Sequence, residues 1–304
     1  MNDLALSSYW RRGSWKQIGD FFRVGVEMGF SAFEVSGLLD HSFYQEIHPG
    51  VFNIASLHNP APGEMRNREM RRADVLLTSL DEERRQQAVA IARRCVEVAQ
   101  RYGARVIVLH VGQTSADPEL ENQLKGLFAE GRIASPQADA LRKRLASERL
   151  VRRQERMGAL RRSLDRLIPY ALAGGILLGV ENRTACEMPD WQELGEILSW
   201  YPEEPVGYLH DTGHAQVQEV LGLWPHVDWL RAYGHRLVGL HLHDSVKMGV
   251  HQAPGAGDVD WASLALRVPV GVQCTVEVDG TVSREALLAG VEHLKSTGWA
   301  GEIS

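Results

Sequence analysis

Short apolar runs recur along this chain, with helical patterns of apolar and polar positions between them. The runs are Leu4–Ser7, Ala32–Val35, Val51–Leu57, Val106–Leu109, Ile176–Val180, Val206–Leu209, Leu237–Leu242 and Val272–Val278. They are largely continuous rather than alternating, as expected of strands buried on both faces. Ser14 is placed to cap a helix through about Met28, which Gly29 stops. Ser79 with Glu82 reads as a capping box for Leu80–Tyr102, ended by Gly103. Ser135-Pro136 opens a long helix reaching Ala173, with Gly174-Gly175 as its stop. Pro189-Asp190 opens Trp191–Trp200, and Ser283 opens Arg284–Lys295. Asp40 to His48 is weak and predicts a short or irregular helix. Eight buried strands separated by helices predict an α/β fold, a closed (β/α)8 barrel spanning residues 1–304 as one domain. An open doubly wound sheet is the runner-up, but SSYWRRGSW after the first strand is not the GxGxxG turn such sheets carry. A helical insertion falls at about residues 115–134, where LENQLKGLF offers one apolar face. It suits a lid, a subunit contact or a helix covering the barrel rim.

Composition narrows the setting. The 304 residues, 44% of them apolar, can bury a sizeable core without disulfides. Cys95, Cys186 and Cys274 are odd in number and widely spaced, with no CxxC, which points to a reducing compartment and away from a cysteine zinc site. The start carries Asp3 and no positive segment, so no signal peptide is expected. No apolar run approaches the roughly 20 residues of a membrane span. The expectation is a cytoplasmic protein with no membrane partner. The net charge of −6 gives no general pull towards nucleic acid. It is uneven: Arg142 to Arg166 holds ten Lys/Arg against three Asp/Glu, a local +7. A solvated helix face is the plain reading; a landing site for a phosphate-bearing partner is the alternative.

In a barrel, chemistry sits at the C-terminal ends of the strands. Strand three ends in His58, strand four in His110, and strand five in Glu181-Asn182. Strand six supplies Asp211 and His214, strand seven His241, His243 and Asp244, and strand eight Glu277. One strand-end histidine alone is an ordinary structural hydrogen-bonder. His, Asp and Glu gathered from several strands are the ligand set of a Zn, Mn, Co or Fe site. Side chains alternate along a strand, so His241 and His243 face one way and Leu242 the other. Glu181 and Glu277 come from strands five and eight and can flank a substrate, near enough to move protons. Tyr9 and Trp10, after strand one, suit stacking on a ligand. Arg183 follows Glu181-Asn182 and is placed to touch substrate. Lys247, soon after strand seven, can meet a phosphate or carboxylate or simply be solvated. Cys186 has no matched base and is not read as a nucleophile.

The segments HDTGHA (210–215), LHLHD (240–244) and PGAGDVDW (254–261) resemble the xylose isomerase-like TIM barrel superfamily, over about residues 3 to 297. That superfamily holds sugar isomerases and epimerases together with endonuclease IV-type enzymes. The resemblance implies that Glu181, Asp211, His241 and Glu277 bind one divalent metal, Mn, Zn, Co or Mg. It implies that the two glutamates remove and return a proton on carbon through a metal-stabilised enediolate, with His214 touching substrate hydroxyls. The endonuclease-type members use more ligands. His58 and His110 match two of them and, with a bridging Glu181, would complete a second metal site. His214 and His251 match a third site, but Gly249 stands where its aspartate belongs, which weighs against a third metal. The resemblance also leaves room for a homo-oligomer.

The leading expectation is therefore a metal-dependent isomerase or epimerase acting on a sugar or sugar phosphate. The alternative is an endonuclease IV-like phosphodiesterase with two or more metals and a nucleic-acid substrate. A lyase or dehydratase using the same enediolate chemistry stands third.

Overall fold

The computed structural model describes residues 4–10, 17–36, 41–63, 65–203 and 205–299. Eight parallel strands close into one barrel: β1 Leu4–Ser7, β2 Ala32–Val35, β3 Ile54–His58, β4 Val106–Leu109, β5 Leu177–Glu181, β6 Val206–Asp211, β7 Leu237–Leu242 and β8 Gln273–Val276. Each pairs with its neighbours in chain order, and β8 returns to β1. The strands form where continuous apolar runs were read, with small differences at their ends. β3 begins at Ile54 because Val51 is exposed, and β6 runs on to Asp211.

Two layers of apolar packing result. A small interior set, Val106, Val108 and Leu209 with Val238, fills the barrel's lower end. The larger set joins the outer strand faces to the helices and includes Leu240, Leu242 and Trp229. Val238 lies inside although Leu240 and Leu242 lie outside. A β-bulge explains this: Tyr208 pairs with Leu237 and Leu209 with Gly239, leaving one additional residue on β7. The bulge resets the alternation, and His241 consequently points inward beside Asp211, its register partner on β6.

The long helix expected from Ser135 to Ala173 is instead two helices, Pro136–Leu150 and Arg153–Gly174, broken where Arg152 takes φ +56°. The break lets Arg149 turn inward and bind Glu193, Asp190 and the Glu187 carbonyl. The cap of Glu82–Tyr102 is Asp81, not Ser79: the Asp81 carboxylate accepts from Arg84 N, while the Ser79 hydroxyl is engaged with Asp74. Ser14 and Asp40 lie outside the described residues; the weak segment forms a short helix, His41–Glu46. Ser283 caps Arg284–Ser296 as read.

In the insertion, helix Pro118–Ala129 turns Leu120, Leu124 and Leu127 onto Ala138 and Leu145 of the following helix and onto Ala185, Val217 and Leu221 at the barrel mouth. Its apolar face is thus spent on covering the rim. The basic stretch is knitted into ion pairs with Glu148, Glu155, Asp190, Glu193, Glu196 and Glu82. Among the described residues no helix is long and apolar enough to cross a membrane.

Candidate metal centre

His241 is fully buried at the end of β7, and its two ring nitrogens meet different surroundings. Nε2 lies 3.1 Å from Glu34 Oε2 and donates to it. Burial opposes charge on the ring, but the surrounding carboxylates prevail and hold its pKa well above the usual imidazole range. A cation at Nδ1 would therefore take the place of a proton. Around Nδ1 stand Glu277 Oε2 at 3.2 Å and Glu181 Oε1 and Asp211 Oδ2, each at 3.7 Å. Yet Nδ1 makes no hydrogen bond, and neither does Glu181 Oε2. Buried polar atoms almost always find partners, and an orphan costs about 1–3 kcal/mol. One imidazole nitrogen facing three carboxylates from three strand ends is a donor set that a divalent cation satisfies. The four residues brought together are those read from the sequence.

Their supports are local. Asp211 caps helix Thr212–Val220, its Oδ1 accepting from His214 N at 2.7 Å. Its Oδ2 accepts from His243 Nε2 at 2.9 Å. The tautomer of His243 is set from behind, because the His251 backbone N–H donates to its Nδ1 at 3.0 Å. Asn182 ties β5 to β6, accepting from Asp211 N and donating to Asp211 O. Gly213 has no room for a side chain, since a Cβ there would run into the His243 ring. Asp244, next in the same segment, is structural: it accepts from the backbone of Ser245 and Gly255 and from the Trp261 indole. A Cβ on Gly257 would strike Asp244 and the Ser245 carbonyl.

A second group lies against the first. His58 Nδ1 donates to the Asn59 carbonyl at 2.9 Å, so its free Nε2 faces Glu181 Oε2 at 4.0 Å. His110 Nε2 is 2.7 Å from the same oxygen but is not aligned for a hydrogen bond, and both its ring nitrogens lack partners. The ligand atoms of His58, His110 and Glu181 lie within 4.8 Å of one another. A third centre built on His214 is obstructed. Arg183 Nη1 sits 3.3 Å from His214 Nδ1 and 3.4 Å from its Nε2, so a guanidinium already occupies that flank. His251 donates from Nδ1 to the Glu277 carbonyl and packs its ring on Tyr9.

The electrostatics separate the two glutamates. Burial and the charges of Glu34, Glu181 and Asp211 outweigh His241 and push the Glu277 carboxyl up to about 7. Burial also opposes charge on Glu181, but Arg183 and His110 prevail and hold it well below the usual carboxylate range. Arg183 bonds Glu181 at 3.1 Å and Glu187 at 2.9 Å.

Two expected contributors stand elsewhere. Trp10 is fully buried with its indole donating to the Val282 carbonyl, so it packs within the core rather than offering a stacking face. Lys247 is exposed at the tip of the Asp244–Val246/Gly249–Gln252 hairpin, in the left-handed region with φ +49°. The sequence reading missed Glu34, which is fully buried and also accepts from Ser56 Oγ at 2.7 Å. The signal was there: an acid at the end of an apolar strand, in AFEVSG.

Solved structures of similar shape include 3-keto-D-glucoside 4-epimerase from E. coli (TM-score 0.66, 15% identity, 97% of this chain and 100% of that chain covered). They also include D-psicose 3-epimerase from Clostridium cellulolyticum H10 (TM-score 0.66, 13% identity, 98% and 100% covered). A third is the IOLI protein, solved with a bound zinc atom (TM-score 0.60, 12% identity, 97% and 96% covered). At these identities the likeness is one of fold. Comparison by sequence with curated proteins returns no match. The family model described as xylose isomerase-like TIM barrel matches residues 22–297. The barrel and that match together establish that the chain belongs to the xylose isomerase-like TIM barrel family.

Proposed function

We propose that this chain is a divalent-metal-dependent isomerase or epimerase of a sugar or sugar phosphate. The observation that carries the reading is the unpartnered His241 Nδ1 with Glu181, Asp211 and Glu277 around it. A metal ion held by these four residues would act as a Lewis acid on neighbouring carbonyl and hydroxyl oxygens of a sugar. The chain's own part is proton traffic. Glu181, ionised and braced by Arg183, is suited to remove a proton from carbon. Glu277, whose carboxyl is raised to about 7, is suited to give one back. Asp211 has both oxygens committed to His214 N and His243 Nε2 and serves as an anchor. The sugar epimerases among the similar folds support this choice.

The test is solvent exchange. Metal-loaded protein in D2O is expected to place deuterium on a carbon next to the carbonyl of a ketose, and Glu181→Gln, which removes the base, to abolish it. Absence of exchange across a panel of ketoses and ketose phosphates would sink the reading.

A second reading rests on His58, His110 and Glu181. Two metals bridged by Glu181 would suit water attack on a phosphodiester. Release of phosphate-ester products from abasic DNA, lost on His110→Ala, would favour it.

A further inference from the structure

Beside the barrel mouth, helix Asn67–Arg72 and helix Pro118–Ala129 enclose a cleft of about 610 Å³. Its lining includes Arg68, Arg71 and Arg72, with Gln113, Asn122 and Thr184 as neutral hydrogen-bonding groups. This is the size of a small-molecule site. Arg71 is paired with Glu187 at 3.0 Å. Arg68 and Arg72 are exposed and have no ion-pair partner among the described residues. They contrast with most of the arginines of residues 142–166, which are tied into ion pairs.

The cleft is linked to the candidate metal centre through shared side chains. A separate, small pocket lined by Asn59, Gly112 and His110 shares Arg71 and Glu187 with it. Charge runs the same way: Arg71 to Glu187, Glu187 to Arg183, and Arg183 to Glu181, at 3.0, 2.9 and 3.1 Å. Within that chain each positive charge meets a negative one. The two arginines left over line the cleft and are exposed. Guanidinium groups are matched in shape to phosphate and carboxylate oxygens.

Resting on the isomerase reading, we propose that this cleft receives the anionic group of the substrate, a phosphate ester or a carboxylate, at Arg68 and Arg72. The substrate class is then an acidic sugar: a sugar phosphate or a sugar acid. A polynucleotide backbone fits less well, because the far wall carries the acid Glu121 in the first turn of its helix.

Calorimetric titration of the metal-loaded full chain tests this, with inorganic phosphate, fructose, fructose 6-phosphate and glucuronate as probes at low salt. Phosphate is expected to bind saturably and to lose on the order of tenfold in affinity in the Arg68→Ala/Arg72→Ala double variant. The preference for fructose 6-phosphate over fructose should vanish with it, while metal per chain stays the same. Arg68→Lys/Arg72→Lys should keep part of the preference, since the charge remains without the fork. Glucuronate sharing the effect identifies a carboxylate-tolerant site; phosphate alone identifies an ester site. No saturable phosphate binding up to about 10 mM overturns the proposal. So does a preference that survives the double substitution, or abasic duplex DNA outcompeting fructose 6-phosphate through the same arginines. Deuterium exchange is read in parallel. Exchange without anion preference rejects only the cleft, and preference without exchange rejects only the isomerase reading.

Discussion

Arg149 and His241 are both buried among carboxylates, yet only one of them is satisfied. Arg149 spends each of its three nitrogens: Nη2 on Glu193 at 2.7 Å, Nε on Asp190 at 3.3 Å, and Nη1 on the Glu187 carbonyl at 2.9 Å. It ties helix Pro136–Leu150 to the segment 187–193, and its hydrogen bonds are all made. His241 spends one nitrogen on Glu34 and leaves the other bare, facing three carboxylates. Burial of charge is common to both. What separates scaffold from site is whether the hydrogen-bond account closes.

The largest expected effect lies on the closed side. Arg149→Ala strands Glu193 and Asp190 and should cost about 3–5 kcal/mol in urea unfolding. Metal per chain should be unchanged, because no ligand moves. If that variant lost its metal while staying folded, the division between the two clusters would be wrong.

Next comes the crowding on the open side. Glu277 has its folded pKa raised from 4.5 to about 7. A group raised in this way favours folding fully below the unfolded value, and that contribution is lost as pH climbs through the folded value. In metal-free protein, Glu277→Gln should therefore match wild type at pH 4. It should become the more stable of the two as pH rises past 7, by roughly 3 kcal/mol. Added metal should reverse the order. A stability difference that does not move with pH would refute the like-charge crowding.

The smallest effect is the most selective. Glu34 does not face the Nδ1 side of His241; it orients the ring through Nε2. Carboxylates in that position raise the ligand's basicity, and their loss typically weakens metal binding about 10–100-fold. Glu34→Gln should do this in a competition titration with a chelating dye, leaving the unfolding midpoint of metal-free protein nearly unmoved. Unchanged metal affinity would make Glu34 a packing residue only.

Much of this was legible in the sequence, for a physical reason. Strands buried on both faces read as unbroken apolar runs, so the β1, β2, β4 and β7 bounds fall where the runs fall. Glu181, Asp211, His241 and Glu277 end those runs on one side of the barrel, which is what marked them as candidates in the sequence. What stayed hidden depends on partners distant in sequence. Glu34 finds His241 from 207 residues away; AFEVSG marks an acid at a strand end but not the partner it meets. The break at Arg152 is set by Arg149 reaching Asp190 and Glu193, while the local pattern continues as helix. Trp10 looks like a ligand-stacking aromatic until the Val282 carbonyl, 272 residues on, takes its indole N–H.

Elemental analysis of protein purified without chelator or affinity-tag metal bears most directly on the open cluster. At least one divalent ion per chain is expected, lost in His241→Ala, with a second that depends on His58 and His110 if Glu181 bridges. A metal-free chain whose melting temperature is unmoved by millimolar Mn, Co, Zn or Mg would contradict the assignment of the unpartnered His241 nitrogen to a cation.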